Sequence, residues 1–152
     1  MSNKTDNIQV LLLERGGLTL AIPLSFVVKV IPAQEISPVN SSTPVIKGII
    51  NFKGKVMPVL SIESRFGIEE RELRINDKFI LIEQEGKAMA LIASNVSEVI
   101  ELDSKQTQKT DALFPGLLSV NLPGKEHNII YLYNLETIFT SKEIIDIHKI
   151  GD

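Results

Sequence analysis

The sequence contains no cysteine and no tryptophan among its 152 residues. The absence of cysteine excludes disulfides, thiol catalysis and cysteine-based metal sites. Two tyrosines and six phenylalanines supply a base-stacking platform for nucleic acid only poorly. The net charge of −3 and the scattering of the basic residues also argue against a nucleic-acid surface, which needs clustered positive charge.

Long apolar runs and catalytic motifs are equally scarce. Residues 1–7 are polar and lack the apolar stretch of a signal peptide, so they predict a disordered lead. The longest apolar runs are far short of a membrane span, which predicts a cytoplasmic protein without direct membrane insertion. His127 and His148 lack the spacing of paired ligands, and the glutamates within 69–72 lie beside arginine, as on a solvated surface. We therefore predict no enzyme activity, no catalytic residue, no metal ligand and no cofactor site.

Aliphatic residues are abundant, since 43% of the chain is hydrophobic and isoleucine and valine together outnumber leucine. The β-branched residues favour strands over helices. Apolar runs separated by turn residues predict hairpins around Gly16-Gly17 and around 84–87. We expect a loop over 103–112, a helical pattern over 135–150 and a charged, exposed boundary between two halves at 68–77.

Three segments of the first half recur in order in the second half. The aligned pairs are 20–31 with 89–100, 49–54 with 119–124, and 59–66 with 132–139. The offset between the copies drifts slowly around 70 residues, so we interpret the chain as two similar β lobes. Lobes this small bury too little surface to be stable alone. The repeat therefore predicts two short-strand barrels that share a core.

The most informative segment is 46–60, in which two β-rich apolar stretches flank a turn. Asn51 is expected to supply a local side-chain hydrogen bond to this turn, and Gly54 a positive φ angle. Both residues recur in the second copy, so we interpret them as structural turn residues. Lys53 differs because its counterpart is Pro123. A cation that the turn does not require is better explained as a surface contact.

The block 46–67, IKGIINFKGKVMPVLSIESRFG, resembles the signature of the CheW-like domain of bacterial chemotaxis. The positions that match the family's pattern are Gly48, Asn51, Gly54, Pro58, Val59, Phe66 and Gly67. The stretch 96–99 resembles the family's second signature, and the resemblance covers the chain from residue 8 to about 143. It implies an all-β fold of two SH3-like β-barrel lobes, related by the internal repeat and packed on a shared core. Short helices, including one near the C-terminus, accompany the lobes.

The domain organisation expected on this basis is a single CheW-like domain over 8–152. Lobe 1 is expected over roughly 15–77 and lobe 2 over roughly 78–140 together with the first strand, with a C-terminal helix over 141–150. No kinase segment or receiver domain fits beside this domain within 152 residues. The chain therefore resembles the stand-alone coupling form of the domain.

The resemblance also implies a function and its partners. Members of the family are non-enzymatic adaptors of two-component signal transduction that join chemoreceptor cytoplasmic tips to the histidine kinase CheA. The kinase carries a related regulatory domain of its own. By resemblance, a receptor helical hairpin lies in a groove near Val27, Val30, Lys53 and Val99. The alternative hypothesis places the valines of this set in the core.

Two lysines depart from the family pattern. Lys53 stands where the family has arginine, which loses bidentate recognition of a carboxylate. Lys29 stands where the family tends to have an acidic residue. If the usual acid and arginine form a pair, the two lysines would instead repel each other. These departures leave open a diverged adaptor of a non-flagellar pathway such as type IV pilus motility. A small β-barrel module for a ligand or nucleic acid is the third hypothesis.

Overall fold

The computed structural model of the chain describes residues 7–40, 43–102, 107–109, 118–120, 130–132 and 141–150. Within this part of the chain no helix is long and apolar enough to span a membrane. The predicted disordered lead lies outside the described residues apart from its last residue. The second copy of the turn, with Pro123, also lies outside them.

The described residues include eleven strands and three short helical elements, together with the loops that join some of them. The strands are β1 (Ile8–Arg15), β2 (Leu18–Pro23), β3 (Val27–Pro32), β4 (Ile46–Phe52), β5 (Lys55–Leu60), β6 (Lys78–Gln84), β7 (Lys87–Ala93), β8 (Asn95–Leu102), β9 (Thr107–Lys109), β10 (Leu118–Val120) and β11 (Ile130–Leu132). The helical elements are a 3₁₀ turn (Leu24–Phe26), α1 (Ile62–Arg65) and α2 (Ser141–Lys149). The expected loop over 103–112 is wrong at β9, because a three-residue strand without an apolar residue shows no periodicity.

In the described part of the chain, three hairpins have two-residue turns. They are Gly16-Gly17 between β1 and β2, Lys53-Gly54 between β4 and β5, and Glu85-Gly86 between β6 and β7. All six residues have a positive φ, from +52° at Lys53 to +87° at Gly54. Two consecutive positive φ angles define the type I′ turn, whose twist matches that of the flanking strands. The predicted hairpins around Gly16-Gly17 and 84–87 are confirmed.

The strands form two sheets with the same internal order. The first sheet runs β3-β6-β7-β5-β4 and the second runs β8-β1-β2-β11-β10-β9. In each sheet the third strand pairs with the fourth in parallel, β7 with β5 and β2 with β11, and the remaining pairs are antiparallel. The repeat found in the sequence is therefore a repeat of sheet topology, to which β9 adds one edge strand.

The two sheets divide the chain differently from the predicted lobe ranges. The β1–β2 hairpin, over 8–23, belongs to the sheet of the second half, and the β6–β7 hairpin, over 78–93, belongs to that of the first half. The first sheet thus combines strands from 27–60 with those of 78–93, whereas the sequence predicts lobe 1 over 15–77. Each half of the chain therefore contributes one hairpin to the sheet of the other half. This strand pairing depends on tertiary packing rather than on the local sequence pattern.

Strands β1, β6 and β7 bury side chains on both faces of their sheets, which explains their continuous apolar runs. Along β6, Phe79 and Leu81 belong to a buried cluster of the first sheet, the lobe 1 core. Ile80 and Ile82 belong to a second cluster with side chains from both sheets, which we call the central core. β1 alternates in the same way between the central core and a cluster of the second sheet. The predicted shared core is present, so neither small lobe has to be stable alone.

Helix α2 packs onto the central core. Ile147 is 2% exposed and belongs to the same buried cluster as Val45 and Leu60. On the same helix, the Asp146 carboxylate accepts a hydrogen bond from the Thr43 hydroxyl, 103 positions away in sequence. The end of the chain therefore packs against the segment that leads into β4.

We expect Ile147→Val to lower the free energy of unfolding by about 1 kcal/mol, because it removes one buried methylene group. The matched control is Ile145→Val on the same helix, where the side chain is 56% exposed and the expected change is below about 0.5 kcal/mol. Urea unfolding of both variants measures the difference. Equal effects would contradict the packing of Ile147 in the central core.

Candidate partner-binding site

A side-chain hydrogen bond stabilises the turn of the β4–β5 hairpin. Asn51 Oδ1 accepts a hydrogen bond from the Gly54 backbone N–H at 2.8 Å, and Gly54 has a φ of +87°. Lys53 has a φ of +52° and is one of two non-glycine residues with a positive φ in the described chain. The left-handed conformation costs a residue with a Cβ about 1 kcal/mol. Backbone conformation therefore does not favour lysine at this position.

The segment after β3 closes the first sheet into a barrel. The Ser37 N–H donates to the Ile49 carbonyl at 2.9 Å, and the Ile49 N–H donates to the Ser37 carbonyl at 2.8 Å. Because β3 and β4 are the opposite edges of this sheet, the bridge brings the two edges together. Gly48 permits the approach, since a Cβ there would lie 2.3 Å from the Ser37 oxygen.

Barrel closure places Lys29 of β3 beside the β4–β5 hairpin. Lys29 Nζ lies 5.7 Å and Lys53 Nζ lies 5.3 Å from the centre of the Phe52 ring. Both distances are within the range of a cation–π interaction. Phe52 is half-buried and packs against the lobe 1 core, so the ring is held in place. We call Lys29, Phe52 and Lys53 the two-lysine platform.

The platform carries positive charge that the described residues do not balance. Ion pairs in this part of the chain include Arg15–Glu63, Arg15–Asp77, Lys47–Glu70 and Lys55–Glu83. Lys55, on the same hairpin as Lys53, is paired with Glu83 at 3.0 Å, whereas none of these pairs includes Lys29 or Lys53. The expected repulsion between the two lysines is moderated by the ring they share, because its face attracts each cation.

The structure separates the valines that the resemblance assigns to a groove. Val27 is half-buried and packs against the central core, while Val30 and Val99 are 36% and 47% exposed. Val30 lies on β3 in the first sheet, near Lys29 in sequence and beside the 62% exposed Val28. Val99 lies on β8 at an edge of the second sheet, and the two strands are not paired. Two exposed valines, Val28 and Val30, therefore lie on β3 next to the platform, and Val99 lies on the other sheet.

A buried ion network at the junction of the two sheets was missed by the sequence analysis. Arg15 is 2% exposed; its Nε donates to Glu63 Oε1 and its Nη1 to Asp77 Oδ2, each at 2.9 Å. Nη1 also donates to Ser94 Oγ at 3.2 Å. We call these four residues the junction network. The only signal in the sequence was the recurrence of Glu63 as Glu136, which identified no partner.

The stretch 68–77, predicted to be exposed, is exposed over 69–76, and the junction network accounts for the buried residue at its end. Asp77, at the end of that stretch, is 3% exposed, because its carboxylate accepts from Arg15. The same Oδ2 accepts from the Arg74 N–H at 2.8 Å, and Glu63 Oε2 accepts from the Arg71 N–H at 3.2 Å. These hydrogen bonds therefore connect the loop between α1 and β6 to the end of β1. In this way the junction network holds the two sheets together.

The family model for the CheW-like domain matches residues 9–143, most of the chain. The chain belongs to the CheW-like family. The resemblance of the block 46–67 to that family is thereby confirmed, and the match spans strands of both sheets.

Relatives of this CheW-like protein have chemotaxis in their names. It is 18% identical over 151 residues to the chemotaxis protein CheW of Treponema pallidum, covering 95% of this chain and 89% of that protein. It is 23% identical over 127 residues to the chemotaxis protein CheW of Rhizobium meliloti, covering 78% and 82%. The solved structure of the scaffolding protein TtCheW from Thermoanaerobacter tengcongensis matches with a TM-score of 0.76 at 21% identity, covering 92% of each chain. This likeness confirms the all-β fold of two SH3-like lobes.

Proposed function

We propose that this protein is a non-enzymatic cytoplasmic scaffold that couples chemoreceptor tips to the histidine kinase CheA in chemotaxis. The observation that carries the proposal is the family match over 9–143, because it spans both lobes rather than a single motif. The names of the two relatives support the chemotaxis role. None of the comparisons favours a module for a small ligand or nucleic acid.

The receptor helical hairpin is proposed to lie along β3 and the β4–β5 hairpin, near Val30 and Lys53, with Val27 and Val99 as the further groove positions that the resemblance implies. Exposed apolar side chains on β3 beside two cations are the kind of surface that an amphipathic helix recognises. The kinase is proposed to bind through its own CheW-like regulatory domain to other surfaces of the barrels. This division leaves one adaptor free to contact both partners.

We expect Lys53→Glu to weaken co-sedimentation with receptor–kinase arrays severalfold. The side chain is exposed and makes no ion pair with a described residue, so reversing its charge acts on the partner rather than on the fold. The unfolding free energy should stay within about 0.5 kcal/mol of wild type. Sedimentation with reconstituted arrays and thermal unfolding measure the two effects separately.

Two further variants serve as controls for the turn. Lys53→Asn removes the charge with a side chain that tolerates the left-handed conformation, so it should lose part of the binding at equal or higher stability. Glu85→Lys reverses a charge at the same position of the type I′ turn in another hairpin, where φ is +54°, and should leave assembly unchanged. Unchanged assembly for Lys53→Glu would remove Lys53 from the site.

The departures at Lys29 and Lys53 support a second candidate function, an adaptor in a type IV pilus-like chemosensory pathway. A pull-down from lysate with the intact protein identifies which kinase and which receptor co-purify. Recovery of the flagellar kinase supports the first function. Recovery of a kinase encoded beside pilus genes supports the second.

A further inference from the structure

We propose that the two-lysine platform binds a carboxylate presented by the receptor tip, so that this adaptor selects receptors with an acidic side chain at that point. The inference rests on the proposed function in one respect, namely that the receptor lies along β3 and the β4–β5 hairpin. It goes beyond that function by naming the chemistry of the partner group. Where the family pattern has one acidic and one basic residue, this chain has two cations.

The first argument is that the two lysines meet although they are distant in sequence. Lys29 belongs to β3 and Lys53 to the turn between β4 and β5, at opposite edges of the sheet. The bridge between Ser37 and Ile49 joins those edges. As a result, both ammonium groups lie within 5.7 Å of the centre of one ring. The two departures from the family pattern thus form one site.

The second argument is the contrast with three cations of the described chain that have a carboxylate partner. Lys47 and Lys55 each have a carboxylate at 2.9 or 3.0 Å, and Arg15 has two. Lys29 and Lys53 form none of these ion pairs, and both lie near the Phe52 ring. Two ammonium groups beside one ring raise the local positive potential, which a carboxylate from a partner would lower. The platform is therefore complementary to an acidic group.

The third argument is that the platform is preorganised. The Phe52 ring packs against the lobe 1 core. Lys53 lies in a turn whose geometry is fixed by the hydrogen bond from the Gly54 N–H to Asn51 Oδ1. Lysine side chains resting on a fixed ring lose less freedom when they bind than freely rotating lysines do. An ammonium on the ring face keeps its remaining donors free for an incoming oxygen.

The occupant we commit to is a helix of the receptor tip with one acidic residue, or two acidic residues at i and i+4, facing the platform. Such a pair lies on one face of a helix about 5–6 Å apart, which suits two cations on one ring. The exposed Val28 and Val30 of β3 would contact apolar side chains of the same helix. Apolar contact and charge pairing together fit the mode in which an amphipathic helix binds.

The test measures binding of the intact protein to a purified tip fragment of a chemoreceptor encoded in the same genome. Wild type is compared with K29E, K53E, the double variant K29E/K53E and the neutral variant K29Q/K53Q. Each charge reversal is expected to raise Kd about tenfold. The affinity of wild type is expected to fall between about 50 and about 300 mM salt, because screening weakens charge pairing. The neutral variant should lose most of that salt dependence.

A compensating exchange on the receptor side completes the test. Each Asp and Glu of the tip fragment is changed to Lys in turn. One of these changes should weaken binding to wild type and restore binding to K29E/K53E to within about threefold of the original affinity. Tight binding that is insensitive to all lysine variants, or the lack of any restoring exchange, would overturn the carboxylate assignment alone. No binding of wild type to the tip at low salt would overturn it together with the coupling function.

Discussion

Replacing Arg15 with methionine should lower the free energy of unfolding by about 4 kcal/mol, because it leaves Glu63 and Asp77 buried without their cation. Each of these carboxylates is 3% exposed and accepts a hydrogen bond from Arg15 at 2.9 Å. Methionine keeps the apolar stem but removes the charge. In a protein of this length the loss corresponds to a fall in Tm of roughly 12 °C, which thermal and urea unfolding both measure.

Two controls separate the buried charge from the loss of the side chain. The triple variant Arg15→Met with Glu63→Gln and Asp77→Asn removes all three charges, so it should recover a large part of the lost stability. Lys47→Met breaks the surface ion pair between Lys47 and Glu70, in which the two side chains are 36% and 35% exposed. This variant should lower the free energy of unfolding by less than about 1 kcal/mol. If Arg15→Met cost no more than Lys47→Met, the junction network would not hold the two sheets together.

Introducing a methyl group at Gly48 should lower the free energy of unfolding by about 3 kcal/mol. The added Cβ would lie 2.3 Å from the Ser37 carbonyl oxygen and 2.5 Å from Ile36 Cγ2. The first of these is a backbone atom that takes part in the bridge to Ile49, so it can move only by breaking that bridge. Gly48 also has a φ of +151°, which adds backbone strain to the clash.

Gly54→Ala is the matched control for Gly48→Ala on the same hairpin. Gly54 has a φ of +87°, and a Cβ there would meet nothing within 4 Å. The control therefore carries backbone strain without a clash and should cost about 1 kcal/mol. Gly48→Ala should in addition weaken receptor binding, because an opened barrel separates Lys29 from Phe52. Equal costs for the two alanine variants would show that the approach of residue 37 does not constrain residue 48.

The hairpins and the two-lobe plan could be predicted because their causes are local or periodic. Gly16-Gly17 and the turn around Asn51 and Gly54 occur where only small or polar residues adopt the required backbone. The repeat revealed two equivalent lobes before any strand pairing was known. The apolar runs of β1 and β6 predicted strands, and their alternation between two cores followed once both faces were covered.

The candidate site was predicted only in part. Lys53 was identified because the turn does not need a cation, and Lys29 because it departs from a family pattern. The part played by Phe52 was missed, since its aromatic side chain has an aliphatic counterpart in the repeat and gave no sign of a ligand. Val27 was placed in the groove, and the structure packs it against the central core. Its burial depends on which face of β3 meets the other sheet.

The sequence by itself determined most of the strands, the hairpin turns, the repeat and the resemblance to the CheW-like family, because turn chemistry and alternation act over a few residues. Only the tertiary structure decided the exchange of hairpins between the halves, the pairing of Arg15 with Glu63 and Asp77, and the meeting of Lys29 and Lys53 on Phe52. Lys29 and Phe52 are 23 positions apart, and Arg15 lies 48 positions from Glu63 and 62 from Asp77. These long-range contacts form only after the strands have paired in the right order and the barrel has closed. Both events depend on the packing of segments that are distant in sequence.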